Sequence, residues 1–156
     1  MPTERNLGRP GPCPQHPGKH EAFAMSTDNK AVMRHIFAEL ARGNRKPFAE
    51  AMAEDFCWTI AGSSTWGHTW RGREVVLNEL MKPLFARFSD IYTCEARRMI
   101  AEGDYVVVEA RGKVTTKSGK AYNNSYCYVC RLLDGKLVEV TEYMDTEMAA
   151  AVLGPP

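Results

Sequence analysis

The hydrophobic positions of this chain change period several times. After a Ser26-Thr27-Asp28 cap signal, Val32, Ile36, Phe37 and Leu40 recur at helical spacing, and Gly43-Asn44 stops them. Pro47 opens a second, short helix over 48–53. The period then drops to two: Phe56, Trp58 and Ile60 fall on one face of a strand. Residues 61–72 have no period. They hold Gly, Ser, Trp66 and Trp70, a loop whose indoles need apolar cover as a pocket lid or as a plug of the core. Val75, Val76, Leu80, Leu84 and Phe88 restore helical spacing over 73–88, with a bend expected at Pro83. Strands follow at 91–101, 105–114, 121–133 and 136–145, separated by turns at 102–104, 117–120 and Asp134-Gly135. Connections this short predict an antiparallel meander. A short helix over 147–153 ends the pattern.

Helices, one strand, a helix and a four-strand meander predict an α+β domain. The expected shape is a cone: N-terminal helices packed on a strongly curved, mainly antiparallel sheet that encloses a pocket with an open mouth. The last strand carries the main chemical signal. Val138, Val140, Glu142 and Met144 alternate onto one face, with Leu137, Glu139, Thr141 and Tyr143 on the other. A carboxylate on an apolar wall destabilises the fold unless something pairs with it or binds to it. That face is therefore expected to line the pocket, with Glu142 as an acid/base.

Glu109 and Arg111, two apart on a strand, share a face. If it is the pocket face, Arg111 partners Glu142 or Glu109 and the pair tunes the acid; otherwise they form a salt bridge on a solvated face. Tyr122, Asn124, Tyr126 and Tyr128 share a face of the third meander strand, as donors to a ligand oxygen or as packing and dimer-interface residues. Trp58 and Trp70 are expected as apolar walls, with Val140, Met144 and Asp145 beside them; Asp145-Thr146 reads more readily as the cap of the last helix than as chemistry.

Composition narrows the class. The chain has 156 residues, 44% hydrophobic and 25% charged, room for one domain with a core. A net charge of +1 gives no bulk attraction to nucleic acid or anionic membrane, and no apolar run approaches the ~20 residues of a membrane span. No charged segment followed by an apolar one opens the sequence, which argues against a secretory signal. Five cysteines at scattered spacing suit reduced thiols in a cytoplasmic protein. Residues 1–24 hold five of the nine prolines and read as a disordered leader, leaving 25–156 as the domain. Cys13, His16 and His20 within it read as chance spacing, and no metal or nucleotide cofactor motif is present.

Several blocks carry a resemblance: Asp55-Phe-Cys-Trp58, residues 70–74 (Trp-Arg-Gly-Arg-Glu), Arg111-Gly112, Gly119-x-x-Tyr122-x-Asn124-x-Tyr126, and Gly135-Lys136 through 142–146. Together they resemble the NTF2-like superfamily, and within it the SnoaL-like and ketosteroid-isomerase-related proteins. The resemblance spans about 28–153 and implies the cone fold. It implies a pocket for a small hydrophobic cyclic or polyketide-like metabolite, cofactor-independent isomerase, cyclase, dehydratase or hydrolase chemistry, and a homodimer through the sheet. The alternative is a non-catalytic ligand-binding or dimerisation module, since the superfamily holds both. The ketosteroid-isomerase aspartate falls near Ile60 and the helix-1 tyrosine near Ile36 or Phe37, none of which can serve. The limonene epoxide hydrolase register places a catalytic carboxylate on Glu142, while the family's Arg-x-Asp pair appears here reversed as Glu109-x-Arg111.

Overall fold

The structure, a computed structural model, describes the backbone from residue 22 and side chains from residue 29. The leader reading and the Cys13-His16-His20 spacing lie outside the described residues, except that residues 22–24 are already helical. Helix α1 (Ala22–Leu40) starts ahead of Ser26-Thr27-Asp28, so that cap signal falls inside the helix. Its apolar stripe is as expected: Ile36, Phe37 and Leu40 are buried, together with Met33. Helix α2 (Lys46–Ala51) has Pro47 in its first turn, where the missing N–H has no bond to lose.

Among the described residues the sheet has six strands: β1 (Met52–Ile60), β2 (Thr69–Arg71), β3 (Thr93–Glu102), β4 (Tyr105–Lys113), β5 (Ser125–Leu133) and β6 (Lys136–Met144). Their spatial order is β2-β1-β6-β5-β4-β3. β3 to β6 form the expected antiparallel meander. The last strand then lies parallel to β1, so Trp58 sits beside Val140 and Ile60 beside Glu142. β2 was hidden in the loop reading of 61–72; three residues are too few to show alternation. The pairing register shifts in β1–β6, β3–β4 and β5–β6. Such bulges bend strands and increase twist, and the sheet is curved and unclosed.

The third helix is composite. A turn of α3 (Arg73–Val75) leads into a π-helix (Val76–Met81) and then α4 (Lys82–Phe85). Lys82 N–H donates to Leu77 O, one residue further back than in an α-helix. Pro83 has no N–H, and its ring would meet the carbonyl four residues earlier; the wider turn accommodates it. What marks the proline in the structure is thus this widened turn ahead of it. Helix α5 (Thr146–Leu153) closes the fold, with Met148 N–H donating to Asp145 Oδ1 at 2.9 Å. No described helix is long and apolar enough to cross a membrane.

The core lies on the concave face. Phe56, Trp58 and Ile60 of β1, Val106, Val108 and Ala110 of β4, and Tyr126, Tyr128, Cys130 and Leu132 of β5 all point into it, under α1 and the composite helix.

Candidate functional site

One cavity opens between the concave face and the helices that cover it. The strands supply Trp58, Ile60, Cys94, Tyr126, Tyr128, Glu142 and Met144. Tyr92 and Tyr122 stand just before β3 and β5. Helices α1 and α2 add Phe37, Leu40 and Phe48, the composite helix adds Leu80, Met81, Leu84 and Phe85, and Trp66, Leu153 and Arg45 complete the wall. The free space gives about 70 Å³ to the centres of water-sized bodies, several times the ~10–15 Å³ that one water needs. Apart from Arg45 and Glu142, every lining side chain among the described residues is uncharged.

Glu142 is placed by strand alternation. On β6 it points inward, paired laterally with Tyr128 on one side and Ile60 on the other. Its carboxyl is 6% exposed and accepts one hydrogen bond, from Trp58 Nε1 to Oε2 at 2.8 Å. Burial pushes its pKa from the ordinary 4.5 up to about 7, and the indole donor opposes part of that rise. No cation is recorded against it among the described residues, so the acid stays close to half-ionised at neutral pH, as a general acid/base requires.

Hydroxyl and thiol groups surround it. Tyr92 lies beside Tyr126 and Cys94, Cys94 also neighbours Tyr128, and Tyr126 also neighbours Tyr122. The rings pack closely: Tyr126 stacks on Tyr128 at 5.3 Å between centroids, and Phe88 on Tyr92 at 5.8 Å. Gly112 makes this possible. It faces inward on β4, and a Cβ there would lie 2.7 Å from Tyr92 Oη and 2.8 Å from Tyr126 Cε2. Burial raises all four phenols, and Cys94 rises to about 11; the Glu142 charge adds to each of these shifts. The cluster is therefore a set of neutral donors around one titrating carboxyl, and Cys94 is a thiol, not a thiolate nucleophile.

The structure brings four expected site residues to the cavity: Glu142, Trp58, Tyr126 and Met144. It separates others. Glu109 and Arg111 lie on the convex face, where Glu109 pairs with Arg98 at 3.4 Å and Arg111 Nη1 donates to Ser125 at 3.3 Å. Their expected place beside Glu142 is corrected, because the buried parity of β4 belongs to Val106, Val108, Ala110 and Gly112. Trp70 is buried beside Trp58 and edge-on to His68, away from the cavity wall. Val140 is fully buried core. Asn124 and Asp145 hold the fold: Asn124 Nδ2 donates to Asp145 O at 2.9 Å, and Asp145 caps α5. Tyr122, Tyr126 and Tyr128 are all buried on the concave face, so the interface alternative for them is overturned.

Trp66 is the loop indole that reaches the cavity; its Nε1 donates to Gly154 O at 2.8 Å. Tyr92, Cys94, Phe48, Phe85 and Arg45 were not foreseen. Only Tyr92 and Cys94 carried a signal, being two apart at the mouth of a strand. The expectation of reduced thiols holds for Cys94, Cys127 and Cys130 and fails at Cys57, which is disulfide-bonded. The cysteines therefore do not specify a compartment.

The model of the SnoaL-like domain family matches residues 33–140. No curated protein matches the chain. Among solved structures, a protein from Jannaschia sp. CCS1 named as a SnoaL-like polyketide cyclase superposes with a TM-score of 0.69 at 20% identity, over 86% of this chain and 96% of its own. TerC co-crystallised with polyporic acid gives 0.67 at 19%, over 81% and 98%. An LEH-like epoxide hydrolase of M. tuberculosis gives 0.63 at 18%, over 83% and 92%. At these identities the likeness is one of fold. The family match covers most of the described chain, including the strands that carry Trp58, Tyr126 and Tyr128 and the beginning of β6, and so the chain belongs to the SnoaL-like domain family, with the NTF2-like fold.

Proposed function

We propose that this protein binds a small hydrophobic cyclic or polyketide-like metabolite in the cavity and moves a proton on it with Glu142. The observation that carries the reading is the burial of Glu142, held by one indole donor, in an otherwise aromatic and aliphatic chamber. As base, the carboxylate takes a proton from a carbon next to a carbonyl. As acid, it returns that proton to another atom of the same molecule. A phenol of the Tyr92-Tyr126-Tyr128 cluster donates to the carbonyl oxygen while it carries the charge. Such a transfer is an isomerisation, or the proton step of a cyclisation, dehydration or ring opening, and it runs on the carboxyl alone. Proteins of the same fold named as a polyketide cyclase and an epoxide hydrolase, and one crystallised with polyporic acid, support the substrate class.

The test is a thermal-shift screen of wild type and Glu142→Gln against cyclic ketones, epoxides, lactones and aromatic polyketide fragments, followed by turnover assays on those that bind. Stabilisation whose pH dependence disappears in Glu142→Gln supports the reading. Binding that is identical in both proteins, without turnover, favours the non-catalytic alternative.

A homodimer belongs to the same proposal. The convex face of the sheet presents Ile100, 57% exposed, beside Val107, and Tyr143, 52% exposed, beside Cys127. Light scattering of wild type and Tyr143→Lys, with dimer lost in the variant, is the check.

A further inference from the structure

Arg45 is the single cation in the cavity wall among the described residues. It belongs to the turn before α2, where it is exposed at the rim, and its guanidinium carbon sits over the Phe85 ring, 3.6 Å from the centroid. A cation–π contact of this kind needs no hydrogen-bond acceptor, and an arginine carries five N–H donors in a fixed fork. Arg87, whose guanidinium lies over the Trp66 ring of the same wall, is spent: it donates to Leu153 O at 2.7 Å. Arg45 makes no side-chain hydrogen bond or ion pair with any described residue. Burial alone draws its pKa below the ordinary arginine value, with no acid nearby to offset it. Phe85 lines the same cavity, so the fork is held at the edge of the space a ligand enters.

We propose that Arg45 is an anion subsite, and that the ligand of this cavity is an amphipathic carboxylate whose apolar body lies among the aromatic rings while its carboxylate meets the guanidinium fork at the rim. This rests on the cavity being a ligand site, as proposed above, and narrows its substrate class. The planar fork matches a carboxylate through two parallel N–H to O bonds, and a partly desolvated site strengthens them. The anion stays at the rim because Glu142, deeper inside, repels it once ionised. Binding therefore favours the protonated form of Glu142 and weakens as pH rises through about 7.

The experiment is calorimetric titration of the full chain with 3-phenylpropionate and its neutral isostere 3-phenylpropanamide, at pH 6 and 8. The proteins are wild type, Arg45→Gln, Arg45→Lys and, as a control for surface charge, Lys46→Gln. Wild type should prefer the carboxylate by about tenfold or more, the scale of a charge-assisted hydrogen bond. Arg45→Gln should abolish the preference while leaving affinity for the amide unchanged. Arg45→Lys should keep part of it and Lys46→Gln all of it. Equal binding of acid and amide to wild type, or a preference that survives Arg45→Gln, overturns the anion subsite and leaves the cavity reading standing. Failure of both probes to bind any of the four proteins overturns the cavity reading, and the subsite with it.

Discussion

Replacing Glu142 by glutamine should change how stability depends on pH more than it changes stability itself. Glutamine is nearly isosteric, and its carbonyl oxygen can still accept from Trp58 Nε1. In the unfolded chain the carboxyl titrates near 4.5; in the fold it titrates near 7. The native state therefore holds the proton more tightly than the unfolded state. The stabilisation from this group is complete below pH 4.5, falls between 4.5 and 7, and is gone above 7. At about 1.4 kcal/mol per pH unit of the gap, the native protein should lose on the order of 3 kcal/mol from this group across that window. The phenols and Cys94 are pushed upward, out of the window, so they do not blur it. Urea denaturation in steps from pH 4.5 to 8.5 reads the effect, followed through the fluorescence of Trp58, Trp66 and Trp70, all buried. Other groups titrate in both proteins, so the informative quantity is the difference between the two curves. It should favour wild type at low pH and shift toward the variant by about 3 kcal/mol by pH 8. Parallel curves would mean that Glu142 titrates as an exposed carboxyl does, and the argument from burial would fail.

Trp58→Phe removes the donor that opposes the rise in the Glu142 pKa, so the midpoint of that titration should move above 7, as read by carbon NMR of labelled glutamate. Gly112→Ala should lower stability by about 1–3 kcal/mol, the range for overpacking a core, because its Cβ meets Tyr92 Oη at 2.7 Å in a stacked, buried ring system; a melting temperature unchanged from wild type would refute this. Asp145→Ala removes the cap of α5 and should cost about 1 kcal/mol in urea denaturation. Glu109→Gln and Arg111→Met, on the convex face, should leave the Glu142 titration and ligand affinity unmoved, which separates them from the site they were first expected to share.

Much of the fold was legible because its strands alternate cleanly. The parity of β6 put Glu142 on the apolar wall between Val140 and Met144, and the structure finds it buried there. The error at Glu109 and Arg111 was one of assignment between faces. Two residues two apart must share a face, but that fact does not say which face is inside. The answer was present on the same strand: Val106, Val108, Ala110 and Gly112 form an unbroken run of small or apolar residues at even positions, and the charged residues occupy the odd ones. On β5 the tyrosines looked ambiguous for the opposite reason, since phenols suit a wet interface as well as a dry chamber. Partners from two other strands and from the segment before β3 decide it. Tyr128 is flanked by Val108 and Glu142, and Tyr126 by Ala110 and Met144, while Tyr92 comes in from the segment before β3.

What stayed illegible is what depends on distance in the chain. Trp58 and Glu142 are 84 residues apart, and nothing local says that an indole on β1 will reach a carboxylate on β6. The link is the parallel pairing of those strands, which sets Trp58 beside Val140 and leaves the indole one inward position short of Glu142. A side chain as long as tryptophan spans that step; a shorter one would leave the carboxyl with no donor. The chemistry of the site thus depends on the register between the first long strand and the last. A one-residue slip of β1 there would turn Trp58 outward and leave Glu142, still held inward by its pairing with β5, without its donor. The bulge in β1, between Met52 and Cys57, absorbs the mismatch in that pairing before it reaches Trp58. Deleting one residue of that segment should therefore move the titration of Glu142 above 7, as Trp58→Phe does, where the protein still folds, and carbon NMR of that carboxyl would show it; a midpoint unchanged from wild type would refute the register argument.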